Sequence, residues 1–148
     1  MANKAIIESV RDWISKCPLL NDGRINVDYL GEDFDYSIDP LPSEPWVTRY
    51  TDGGGKKQYQ FAFTSKEEYD GTAMTEIENS GFYQAFAEWV ESQNEAAAFD
   101  DAALPVLENE RQTALAVEVM TSGYLFDAGP DRAKYQIQCR LIYEQEAM

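Results

Sequence analysis

No histidine occurs among the 148 residues. That absence removes Ser-His and Cys-His dyads and every His-ligated metal site, along with the side chain whose ordinary pKa lies nearest neutrality. Two cysteines, Cys17 and Cys139, are too few for a disulfide framework or a four-thiolate zinc site. Each falls in an apolar pattern, so both read as reduced, buried thiols. Cations are scarce as well: 12 Lys plus Arg stand against 27 Asp plus Glu, for a net charge of −15. Phosphate affinity comes mainly from Lys and Arg, so this balance argues against nucleic-acid binding and against an anionic membrane surface. No apolar run approaches the roughly 18 residues of a membrane span. At the start, Glu8, Arg11 and Asp12 interrupt the apolar Ala5-Ile6-Ile7 before a signal-peptide core can form. The expectation is an acidic, soluble protein made inside the cell, with no metal and no cofactor.

What is present suits one domain over residues 1–148. A chain of this length hides roughly two-thirds of its unfolded surface, so it builds a core without staples. Ile6, Val10, Trp13, Ile14 and Cys17 recur at helical steps, predicting a helix over 3–17, with Asn3 as N-cap and Pro18 as the stop. After the Asn21-Asp22-Gly23 turn, Ile25, Val27 and Tyr29 alternate with polar residues, as do Phe34, Tyr36 and Ile38. These read as one or two strands broken near Gly31. Asp39 to Pro45 carries three prolines and reads as a stiff, extended surface segment. Residues 46–51 and 58–64 then form a hairpin whose flexible tip is Asp52-Gly53-Gly54-Gly55-Lys56-Lys57, with Tyr59, Phe61 and Phe63 on one face.

Ile77, Phe82, Phe86, Trp89 and Val90 lie at helical spacing, with a break at Gly81 and Ser80 capping a second piece over 81–95. Asn94 to Glu110 has weak periodicity and reads as a mobile loop. In the last third Leu115, Val117, Val119 and Thr121, then Tyr135, Ile137, Cys139, Leu141 and Tyr143, alternate as two long strands around the turn Asp127 to Arg132. The predicted class is therefore α+β: a mainly antiparallel β-sheet with two α-helices packed on one face.

Local chemistry is sparse. The run Gly53-Gly54-Gly55-Lys56-Lys57 is followed by Gln58 and an alternating strand, not by Ser/Thr and a helix, so it lacks the features of a phosphate loop. Carboxylates gather at Glu32, Asp33, Asp35 and Asp39, at Glu67, Glu68 and Asp70, and at Asp100 and Asp101, without the spacing of a calcium loop. They read as a solvated acidic surface. Ser65, Ser80 and Ser122 have no nearby base and read as caps and turns. Trp46, Trp89 and the tyrosines are interleaved mostly with acids, which suits core packing or a protein interface better than a base-stacking platform. No constellation supports catalysis, and the chain reads as a non-enzyme.

Three stretches carry a resemblance: Glu78 to Asn94 (ENSGFYQAFAEWVESQN), Val119 to Asp127 (VMTSGYLFD) and Ala133 to Tyr143 (AKYQIQCRLIY). Ser37-Ile38-Asp39, Tyr50 to Gly53 and Gln58 to Phe63 fit the same pattern. In this order they resemble the minor capsid, tail-terminator-like proteins from the head–tail genes of tailed phages and Firmicute prophages. The likeness spans nearly the whole chain and lapses over the acidic stretch from Ala96 to Arg111.

The resemblance implies a virion structural protein, assembled in the host cytoplasm. It would form a homo-oligomeric ring, most often a hexamer, that stops growth of the tail tube and meets the head connector. Its partners would then be copies of itself, the tail tube protein and connector proteins. Alternating polar strand faces and a hairpin tip suit such contacts, and ring acidity facing a lumen would repel passing DNA phosphates. The expected contact residues are Arg49, Asp52, Gly53, Gly54, Gly55, Lys56 and Lys57 at the hairpin. Arg132, Lys134 and Arg140 are expected to pair with acids across a subunit boundary. Two other classes compete: an acidic DNA mimic that occupies a host DNA-binding protein, and a carboxylate-metal enzyme.

Overall fold

The alternating segments assemble into one seven-stranded sheet: β1 (Ile25–Val27), β2 (Tyr36–Pro40), β3 (Trp46–Arg49), β4 (Gly55–Glu68), β5 (Gln112–Val119), β6 (Tyr124–Ala128) and β7 (Arg132–Gln145). This computed structural model describes residues 5–20, 25–27, 36–68, 73–128 and 132–147, with the side chains of 25–27, 66–68, 73–80, 126–128 and 132–133 left out of the description. The spine is the antiparallel β4–β7 pair, in register from Gly55↔Gln145 to Glu68↔Arg132. β2 and β3 share the outer edge of β4, while β5 and β6 share the outer edge of β7. All these pairings are antiparallel; β1 alone runs parallel, alongside β2.

Helices α1 (Ile6–Ile14) and α2 (Ala73–Ala96) cover one face of the sheet, as the α+β reading expects. Val10, Trp13 and Ile14 from α1 and Tyr83, Phe86 and Val90 from α2 are buried against Ile38, Phe61, Phe63, Ile137, Cys139 and Leu141. Trp13 and Trp89 meet at 4.8 Å between ring centroids, and Phe63 stacks on Phe86 at 4.6 Å. Both thiols are free and buried, and burial pushes the Cys139 thiol up to about 12. One loop position is bound to this core by sterics: a Cβ on Gly123 would collide with Cβ and Cγ of Tyr83. The Tyr83 hydroxyl pairs with Ser65 Oγ at 2.5 Å and donates to the Tyr135 carbonyl at 3.0 Å.

Several local readings are corrected. The first helix occupies 6–14 rather than 3–17; Ala5 stands at its N-cap without a side-chain cap. The chain leaves it through Ser15 into a 3-10 turn over Pro18–Leu20. The predicted break at Gly81 is absent, because α2 runs through it unbroken and Tyr83, Phe86 and Val90 dock the helix from the C-terminal side. Tertiary packing here outweighs the weak helix propensity of glycine. Residues 94–110 are not a free loop: α2 reaches Ala96, a 3-10 turn follows over Asp101–Ala103, and Leu104 enters the core. Trp13 Nε1 donates to the Ala103 carbonyl at 2.7 Å and ties this segment to α1. The final hairpin is three strands, since β5 ends at Val119 and β6 takes over the same edge of β7. Asn3, the 21–23 turn, Gly31, Phe34, the Glu32, Asp33, Asp35 and Asp70 carboxylates and residues 129–131 lie outside the described residues, as do the Glu67 and Glu68 side chains.

The unbroken helix yields one expected result. A Cβ at Gly81 meets nothing within 4 Å, so Gly81→Ala should stabilise the protein by about 0.5–1 kcal/mol through a smaller backbone entropy loss. Urea unfolding should show a higher midpoint at unchanged slope. A lower midpoint would mean that α2 does bend at this position.

Candidate interaction surfaces

At one end of the sheet the β3–β4 hairpin closes tightly. Tyr50 N–H donates to the Gly54 carbonyl at 2.6 Å, Gly53 N–H to the Tyr50 carbonyl at 3.1 Å, and Gly54 N–H to Asp52 Oδ1 at 2.9 Å. The three glycines do different jobs. Gly53 takes a positive φ of 95°, which an L side chain resists. Gly54 and Gly55 are buried: a Cβ on Gly54 would stand 2.7 Å from the Gln145 carbonyl oxygen, and one on Gly55 would collide with the Thr48 carbonyl oxygen. The expected flexible tip over 52–57 is thus a pinned turn, and Gly55, Lys56 and Lys57 belong to β4. Next to the turn, the Arg49 guanidinium lies 4.4 Å and the Lys57 ammonium 4.9 Å from the Trp46 ring centroid. One half-buried indole thus gathers two cations, with exposed Lys56, Val47 and Tyr50 adjoining. The sequence setting around the tryptophans looked mostly acidic; register brings Lys57 beside Trp46 across the hairpin.

The sheet face away from the helices is polar. Arg140 donates from Nε and Nη2 to Glu118 Oε2 at 3.1 and 2.9 Å and from Nη1 to Gln58 Oε1 at 3.1 Å, spanning β5, β7 and β4. Farther along, Tyr124 donates to Gln136 Oε1 at 2.5 Å and accepts from Gln138 Nε2 at 3.0 Å. Thr64 and Ser37 both donate to Asp39 Oδ2, at 3.1 and 3.4 Å. The Arg140–Glu118 pair is partly solvated, with side chains 30% and 46% exposed. Such a pair contributes little to stability and more to the order of the face.

The outer edge of β5 is partly closed by α2. Asn94 donates from Nδ2 to the Val117 carbonyl at 2.7 Å and accepts from Val117 N–H at 3.0 Å through Oδ1. A side-chain amide thereby stands in for a neighbouring strand and blunts the edge. Replacing Asn94 with alanine should cost about 1–2 kcal/mol, because Val117 loses both partners. Urea unfolding measures the loss, and a value near zero would show that water replaces the amide freely. Beyond Asn94, Phe99 is 96% exposed between Ala98 and Asp100. The chain on either side of Phe99 lines, together with β5, a groove of about 510 Å³ that includes Ala97, Asp101, Leu104, Val106 and Leu115.

Hairpin residues Arg49, Asp52, Gly53, Gly54, Gly55, Lys56 and Lys57 come together at one sheet corner. Arg140 sits on the polar face and answers Glu118 within its own chain. Lys134 lies toward the other end of β7, opposite Lys66 and Asp127 in register. The side chain of Arg132 lies outside the described residues. Sequence reasoning missed Asn94, Glu118 and Phe99. For Phe99 a signal existed: a lone large aromatic among alanines and acids, at no periodic position. Among the described residues no three Cys, Asp or Glu side chains gather as metal ligands, and no helix is long and apolar enough to cross a membrane. No protein-family model matches the chain, and no curated protein matches it significantly.

Proposed function

We propose that this chain is a structural subunit of a tailed-phage virion: a minor capsid, tail-terminator-like protein that forms a ring at the head-proximal end of the tail tube and joins it to the head connector. The observation that carries the reading is the two-sided sheet. Helices close one face, while the other carries two partly solvated hydrogen-bonded clusters, Gln58–Arg140–Glu118 and Gln136–Tyr124–Gln138. Such a face can meet a neighbouring subunit or a wet channel without an apolar surface being left exposed. The three stretches with the clearest phage likeness fall on α2, the β5–β6 junction and β7, the parts that build both layers. The role requires docking by shape and no turnover.

The deciding experiment removes the gene from the encoding phage and images the lysate by electron microscopy. Tails of uncontrolled length, or separate heads and tails, are the expected result. Intact infectious particles in normal yield would overturn the reading.

A further inference from the structure

Two surfaces at one end of the sheet complement each other yet lie on opposite edges. The rung Arg49↔Gly55↔Gln145↔Gln112 crosses four strands in the order β3-β4-β7-β5. At a strand spacing near 4.8 Å, its outer members are about 14 Å apart. At the β3–β4 corner stand Arg49, Lys56 and Lys57, a quarter of the 12 cations in a chain of charge −15. Arg49 and Lys57 flank the half-buried Trp46, and Lys56 with exposed Val47 and Tyr50 stands on the same hairpin. On the β5 side the pattern inverts: exposed Phe99 follows exposed Glu95 in the chain and precedes exposed Asp101, which lines the groove together with Val106 and Leu115. An apolar centre with cations thus has its counterpart in an apolar centre with acids.

We propose that the β3–β4 hairpin of one copy docks on the Phe99 knob and groove of a second copy, head to tail. The contact deepens the ring reading and rests on it for the partner being another copy of this chain. Charge complementarity selects that partner. The hairpin gathers three cations in an acidic molecule, and the same molecule offers acidic residues beside apolar surface on its far edge. Opposed patches on opposite edges repeat the same contact from copy to copy, which generates a ring where the rotation closes. Phe99, Trp46 and Arg49 are residue types that anchor interfaces when desolvated, and the flanking charges set orientation and salt sensitivity.

The test follows self-association of the purified full chain by sedimentation velocity up to millimolar concentration, at low and high salt. Phe99→Asp should weaken association by roughly tenfold or more; at 96% exposure the side chain supports nothing inside its own subunit. The pairs R49E/K56E and E95K/D101K should each weaken it comparably. The quadruple variant carries both swaps at the wild-type net charge and should recover to within roughly threefold of wild type. A chain that stays monomeric throughout would overturn the contact, as would association indifferent to these swaps. A discrete dimer sensitive to F99D but not to R49E/K56E would also overturn it, placing Phe99 in a partner's groove about a two-fold axis. Failure of the terminator reading registers elsewhere, as normal particles from the gene deletion, and is independent of all these variants.

Discussion

Replacing Phe63 with alanine is expected to remove about 3–5 kcal/mol of stability. Phe63 has no exposed surface and sits where every layer meets. Its backbone pairs with Ile38 on β2 and Ile137 on β7. Its ring stacks on Phe86 of α2 at 4.6 Å and on Tyr36 at 5.4 Å, and it meets Tyr83 at 6.4 Å. Truncation forfeits the transfer energy of the ring and leaves a cavity between helix and sheet that neither close-packed layer can collapse to fill. Domains hold only about 5–15 kcal/mol in total, so the variant should unfold roughly 10 °C or more below wild type. Phe63→Leu, which keeps most of the volume, should cost less than half as much. Thermal and urea unfolding provide the measurement. A loss under about 1.5 kcal/mol would mean that α2 is not seated on this ring.

Gly55→Ala is expected to dislodge β3 at a cost of about 2–3 kcal/mol. The new Cβ collides with the Thr48 carbonyl oxygen and stands 2.9 Å from the Arg49 Cα. Both are backbone atoms that cannot rotate away. Gly53→Ala offers the contrast. Its Cβ meets nothing within 4 Å, and the strain there is a φ of +95°, worth about 1–2 kcal/mol. Two alanines two residues apart should therefore differ in kind as well as size. The Gly55 variant loses hydrogen-exchange protection across Trp46–Arg49 and, with it, the cation-flanked indole. The Gly53 variant keeps both. Equal protection in the two variants would refute the close approach of the strands.

Much of the candidate interface was visible as residues but not as an arrangement. Arg49, Lys56 and Lys57 stand out as cations near a glycine turn in an acidic chain. That Trp46 gathers Arg49 and Lys57 depends on register, with the bulge between Trp46 and Thr48. Arg140 was legible as a cation on a polar strand face; its partner Glu118 lies 22 residues earlier in the chain. Asn94 looked like one more polar residue near a helix end, and its role depends on β5 passing beside it. Gly81 misled because a glycine's weak helix propensity yields where neighbouring residues such as Tyr83, Phe86 and Val90 seat the helix on the sheet.

Which side chains face inward could be read from local periodicity alone. Period-two alternation assigned Phe61, Phe63, Ile137, Cys139 and Leu141 to one sheet face, and period three-to-four assigned Val10, Trp13, Phe86 and Val90 to the helices above it. Periodicity is a local property, set by the repeat of each element, and it survives any choice of partners. Tertiary structure decided what lies next to what: β1 parallel to β2, β5 and β6 end to end along β7, residues 97–111 held down through Trp13, and three consecutive glycines under three different constraints. Those outcomes depend on contacts between residues distant in the chain, where close packing admits one register and excludes a Cβ, and no local repeat encodes them.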